Sequence, residues 1–82
     1  MNLVVEISMY PFAGDYKPLI RDFIARLNTY PDLQCSTSAT STMISGDYDH
    51  VMQVLNEMLA WSHAEHGRAV FVTKFIPGMT PE

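Results

Sequence analysis

The chain has 82 residues, with 48% hydrophobic and 17% charged residues and a formal net charge of −4. One domain of this size buries only about 60% of its unfolded surface, so its core is marginal alone, and the low charge content hints that a partner subunit covers some apolar surface. The five basic residues, Lys17, Arg21, Arg26, Arg68 and Lys74, form no run, which argues against nucleic acid as a partner, since phosphate binding needs clustered Lys and Arg.

The segment Asn2 to Met9 alternates, with Leu3, Val5, Ile7 and Met9 apolar and Val4, Glu6, Ser8 and Tyr10 mixed. That period of two predicts a strand with one buried face. Tyr10-Pro11-Phe12-Ala13-Gly14-Asp15 breaks it, because Pro11 cannot donate to a ladder. From Asp15 to Tyr30, residues Tyr16, Leu19, Ile20, Phe23, Ile24 and Leu27 recur at helical spacing, which predicts an amphipathic helix with Asp15 as N-cap and Pro18 in the first turn. Pro31-Asp32 ends it.

Next comes the most distinctive stretch. Six of the seven residues from Ser36 to Thr42 carry a hydroxyl. Thr favours an extended chain and Ser fits a turn, so Leu33–Ala39 and Thr40–Ser45 are expected as two strands of a hairpin. The turn lacks the Gly or Asn that a two-residue connection prefers. Asp47 caps a second helix running to about His66, with Tyr48, Val51, Met52, Leu55, Met58, Leu59 and Ser62 on one face and Val54 and Trp61 on its flank. Gly67 suits the left-handed C-cap. Arg68 to Ile76 is a last strand, and residues 78–82 form a short tail.

The order β-α-β-β-α-β is the α+β ferredoxin-like plan. Right-handed crossovers put both helices on one side of a four-stranded antiparallel sheet in the order 4-1-3-2. The other sheet face stays open, carrying Val4, Glu6 and Ser8 with Ser36, Ser38, Ser41 and Met43. That face, or a sheet edge, is expected to pair copies into a homodimer or homotetramer. No apolar run approaches the roughly 18 residues of a membrane span. No signal peptide is legible and Cys35 is the only cysteine, so a soluble cytoplasmic protein is expected.

Four features bear a family likeness: Ile7-Ser8-Met9-Tyr10-Pro11 after the first strand, the Ser/Thr-rich hairpin, Thr42-Met43-Ile44-Ser45-Gly46-Asp47-Tyr48-Asp49 into the second helix, and Arg68-Ala69-Val70-Phe71-Val72-Thr73-Lys74 in the last strand. In order and spacing they resemble the thiamine/hydroxymethylpyrimidine-binding family, called YkoF-like, from Val4 to about Ile76. The resemblance implies a ferredoxin-like fold, oligomers or tandem units, and binding of thiamine or its pyrimidine moiety without catalysis.

The candidate site residues follow from chemistry. An aminopyrimidine needs donors and acceptors at its edge, which Ser and Thr hydroxyls supply. Thr37, Ser38, Thr40 and Thr42 are therefore candidates, with Ser8 and Tyr10 at the end of the first strand. Cross-strand packing and turn hydrogen bonds are the structural alternative for these hydroxyls. Glu6 interrupts an apolar strand, where a carboxylate is costly unless paired or wet. It is read either as a partner for an amino group or cation, or as a solvated or intersubunit salt bridge, to Arg68 or Lys74 on the adjacent last strand. His63 and His66, with Glu65 between them, would need a third ligand to hold a metal, and no metal or cofactor is expected. No Ser-His-Asp, Cys-His, phosphate-loop or paired-carboxylate motif is legible. The expected function is a non-enzymatic carrier, buffer or sensor for thiamine or a pyrimidine precursor. The alternative is a structural or regulatory oligomerisation module with no small-molecule ligand.

Overall fold

The computed structural model describes residues 1–80. It contains β1 (Asn2–Pro11), α1 (Lys17–Leu27), β2 (Gln34–Thr37), β3 (Thr42–Asp47), α2 (Tyr48–His66) and β4 (Ala69–Pro77). The sheet order is β2-β3-β1-β4 with every neighbouring pair antiparallel. This is the 4-1-3-2 ferredoxin-like arrangement read from the other edge.

Alternation in β1 decides what lies where. Leu3, Val5, Ile7 and Met9 join one core with Phe23 and Leu27 of α1 and Val51, Val54, Leu55 and Met58 of α2. Both helices therefore cover the same sheet face. The opposite face carries Val4, Glu6, Ser8 and Tyr10, whose partners in β4 are Ile76, Lys74, Val72 and Val70; it is not open along its whole length as expected, since Val4 is only 1% exposed. Ser36 and Met43 join that face through their register with Glu6. Ser38 and Ser41 do not, because they belong to the connection between β2 and β3.

The elements differ from the sequence expectation at their ends. β1 continues through Pro11, which pairs with Ala69 at the strand's end, a place where a missing N–H is tolerated. Helix α1 is shorter than the apolar stripe suggests. Its N-cap is Tyr16, with no side-chain cap bond, so Asp15 lies outside the helix. At the other end, Asn28 Nδ2 donates to the Ile24 carbonyl at 2.8 Å and Thr29 Oγ1 to the Arg26 carbonyl at 2.6 Å. These bonds satisfy last-turn carbonyls before Pro31.

Asp47 does cap α2, accepting from the His50 N–H at 3.4 Å, and Gly67 ends the helix at φ 78°. The buried stripe of α2 is rotated from the expected one. Val54 is 1% exposed, whereas Met52 and Leu59 are 40% and 44% exposed. At 100° per residue the centre lies on Val51, Val54, Leu55, Met58 and Ser62, which leaves Tyr48, Met52 and Leu59 along one flank. On the other flank, the Arg26 guanidinium stacks 4.8 Å from the Trp61 ring centroid, so Trp61 fills the groove between the helices.

Gly46 is needed for close approach. A Cβ there would meet the Asp32 carbonyl oxygen at 3.0 Å, where the loop after α1 crosses β3 in a left-handed turn at Asp32 (φ 57°).

Candidate ligand cleft

The connection Ser38–Ser41 is built by one side chain. The Ser38 N–H donates to the Ser41 carbonyl at 2.9 Å. Ser38 Oγ accepts from the Thr40 N–H at 3.4 Å and the Ser41 N–H at 3.2 Å. The same hydroxyl lies 3.2 Å from the Ser41 carbonyl. A serine hydroxyl can thus close a turn that has no glycine.

β1 outruns β3 at this end. The β1–β3 ladder stops at Ile7↔Thr42, while β1 continues alongside β4 to Pro11. The Ser38–Ser41 turn occupies the space where β3 would have continued. It is tied to β1 by Ser8 Oγ, which donates to the Thr40 carbonyl at 3.2 Å.

Between this turn and α1 lies a cleft of about 90 Å³. Its walls differ. Ile20, Phe23 and Ile24 of α1, with Ile7 and Met9 of β1, make an apolar side, and Ser8, Thr37, Ser38, Ala39, Thr40, Ser41 and Thr42 make the other. Thr37 and Thr42 face each other across the β2–β3 pair with their Oγ1 atoms 3.4 Å apart. No ionisable side chain lines the cleft.

Five of the seven residues expected from the sequence, Ser8, Thr37, Ser38, Thr40 and Thr42, border this cleft. The other two stand apart. Glu6 lies on the open sheet face, with its Oε1 3.6 Å from Lys74 Nζ, the salt-bridge reading of the two. Tyr10 is 58% exposed on the same open face. Among the described residues, the Thr40 hydroxyl makes no hydrogen bond within the protein, whereas those of Ser8, Thr37, Ser38 and Thr42 each do. The α1 wall was not legible as part of a site, because Ile20, Phe23 and Ile24 read as an ordinary core stripe. The one available signal was their position on the helix face that meets the hydroxyl-rich hairpin.

A wider depression of about 520 Å³ lies at the other end of the sheet, bordered by Asn2, Asp32, Leu33, Gln34, Ser45, Gly46 and Thr80. Leu33 is its one large apolar side chain, and Ser45 Oγ already donates to Gln34 Oε1 at 3.3 Å. The rest of its lining is polar or small, and it includes the Asp32 carboxylate.

Among the described residues, no three His, Cys, Asp or Glu side chains converge as metal ligands would. His66 instead places Nε2 3.3 Å from Asp22 Oδ2, bridging the two helices. Cys35 is half-buried and burial pushes its thiol pKa up, which suppresses the nucleophilic thiolate. Tyr30, whose hydroxyl donates to Glu57 Oε1 at 3.2 Å, is likewise raised, first by burial and then by the Glu57 charge.

No protein-family profile matches the chain, and no curated protein matches it in sequence. Solved structures do match in fold. A Streptococcus pneumoniae protein superposes with a TM-score of 0.85 at 22% identity, over 96% of this chain and 89% of its own. A Thermotoga maritima protein provisionally assigned to thiamine biosynthesis or salvage gives 0.81 at 16% identity, over 92% of this chain and 82% of its own. A hypothetical protein from Methanocaldococcus jannascii gives 0.79 at 23% identity, over 99% of this chain and 84% of its own. At these identities the likeness is one of fold.

Proposed function

We propose that this protein binds thiamine or its hydroxymethylpyrimidine moiety, without turning it over, as a carrier, buffer or sensor. The observation that carries this reading is the two-sided cleft. Ile20, Phe23 and Ile24 offer a surface for the face of a ring, and the hydroxyls of Thr37, Ser38, Thr40 and Thr42 lie opposite for its edge. Small-molecule sites likewise pair an apolar wall with placed polar groups, and here hydroxyl residues make up half of the lining. The YkoF-like sequence resemblance and the thiamine-related assignment of the Thermotoga structure support the ligand class. Binding without turnover is the reading because a serine or threonine hydroxyl needs an adjacent base to become a nucleophile, and the cleft lining supplies none.

A second reading rests on a separate surface. Tyr10, Val70, Val72 and Ile76 are all large, apolar and exposed, and their register puts them together on the open sheet face. In this reading the chain is an oligomerisation module, and the face pairs copies into a homodimer or homotetramer. The two readings are compatible, because the cleft lies on the helix side of the sheet.

Thermal-shift titration tests the first reading. A ligand present at 100 times its dissociation constant adds about 2.7 kcal/mol of stability. A rise in Tm with thiamine or hydroxymethylpyrimidine supports the binding protein. No rise with either compound leaves the module.

A further inference from the structure

We propose that the outer edge of β4 is an interface, along which two copies of this chain pair antiparallel and join their sheets into one. The proposal does not depend on the ligand reading, and it names a surface other than the open sheet face.

The backbone is the first observation. β4 ends the sheet order β2-β3-β1-β4, so β1 occupies only one of its sides. Two bonds fix which residues face which side. The Phe12 N–H donates to the Arg68 carbonyl and the Gly78 N–H to the Asn2 carbonyl, both in step with the β1–β4 register. Bonded pairs recur at every second residue of an antiparallel ladder. Val70, Val72, Lys74 and Ile76 therefore turn their N–H and C=O groups toward β1. Ala69, Phe71, Thr73 and Phe75 turn theirs outward, where a second strand has the complementary groups.

The second observation is that this edge is unprotected. Natural sheet edges are kept short, bulged or charged. The opposite edge, β2, follows that rule with only four residues. β4 runs nine residues, from Ala69 to Pro77, in an unbroken register. Its one charge, on Lys74, lies 3.6 Å from Glu6 of β1 and so is drawn back from the edge. Both flanks of the edge are apolar. Val70, Val72 and Ile76 are exposed on the open face and Phe75 on the helix face.

The strand is complementary to itself, which selects a second copy as the occupant. A two-fold axis at Thr73 sets Phe71 opposite the partner's Phe75 and Val70 opposite the partner's Ile76. Phe71 already packs against Phe23 with ring centroids 5.3 Å apart, so the partner's Phe75 extends an aromatic cluster. Lys74 then faces the partner's Val72. An axis at Lys74 would set that charge against its own copy, and an axis at Val72 would set Phe75 against the partner's Ala69.

Sedimentation and amide hydrogen exchange on the full chain test this. The wild type should be dimeric or larger at high concentration. In that state the Phe71, Thr73 and Phe75 amides should exchange at least about 100-fold more slowly than unpaired ones, and dilution to monomer should remove the protection. Thr73→Pro deletes an outward N–H where an edge strand accepts proline, and it should weaken self-association at least about ten-fold. Fast exchange at Phe71, Thr73 and Phe75 beside slow exchange at Val70, Val72 and Lys74 in the assembled protein would overturn the proposal and move the contact to another surface. A wild type that stays monomeric, or a folded Thr73→Pro variant that associates as the wild type does, would overturn it as well. Exchange is read on the wild type, so the test holds even where Thr73→Pro does not fold.

Discussion

Ser8 and Thr40, 32 positions apart in the chain, are joined by a 3.2 Å hydrogen bond from the Ser8 hydroxyl to the Thr40 carbonyl. The bond fastens the β2–β3 turn over the end of β1 and so sets one wall of the cleft. Removing it with Ser8→Ala should cost about 0.5–1 kcal/mol, read as a small fall in the urea midpoint. Ligand affinity should fall further than that, because the turn is no longer held. An unchanged affinity would mean that the turn keeps its position by Ser38 alone.

Glu6 serves as the control for the cleft. Its partner Lys74 is largely exposed and the pair is separated by 3.6 Å, so Glu6→Gln should change stability by no more than about 0.5 kcal/mol. The affinity for either compound should be that of the wild type within error. A loss of binding in calorimetry would place the ligand on the open face instead.

Filling the cleft should abolish binding without unfolding the protein. Ile24 is half-buried on the α1 wall, and Ile24→Phe directs extra volume into the space a ring would occupy. Because the site opens to solvent, the overpacking cost should stay at or below about 1 kcal/mol. Circular dichroism should remain that of the wild type while the ligand-induced rise in Tm disappears.

Alkaline pH should destabilise the fold through Cys35. Burial holds its folded pKa above the ordinary 9.0, so the folded state keeps its proton longer than the unfolded chain. The stabilising contribution is fully present below that ordinary value and is lost as pH rises through the folded pKa. Tyr30, raised from 10.0, adds a second loss at higher pH. Tm measured from about pH 7 to 11 should fall, and Cys35→Ala should flatten the earlier part of that fall.

The open sheet face should govern assembly. Val72 stands exposed beside Ser8 on that face, and Val72→Lys places a charge where a second copy would dock. Sedimentation should show the wild type as a dimer or tetramer and the variant shifted to monomer. Identical sedimentation of the two would move the contact to another surface.

The architecture was legible because the strand and helix periods in this chain are clean. β1 keeps Leu3, Val5, Ile7 and Met9 at every second position on the core side, with Val4 alone buried on the other face, and Asp47 and Gly67 mark both ends of α2. The ends of α1 were not, since Asp15 has the chemistry of a cap yet the chain enters the helix through Tyr16. Met52 and Leu59 misled the α2 stripe because a flanking apolar residue and a core residue look alike until the partner layer is placed. In the cleft, the hydroxyl side could be read from Ser36 to Thr42. The apolar side could not, because only the packing of α1 beside the turn brings Ile20 and Ile24 to it. Glu6 drew attention by its unusual position, and its register with Lys74 accounts for that position.

The most direct test is a heteronuclear NMR titration of the assigned protein with the neutral hydroxymethylpyrimidine. The cleft requires the largest amide shifts at Thr37–Thr42 and Ile20–Ile24, saturating with the same midpoint, while Gln34 and Ser45 at the far end of the sheet stay still. Shifts confined to that far end or to the open face, or no saturable shift at all, would contradict it.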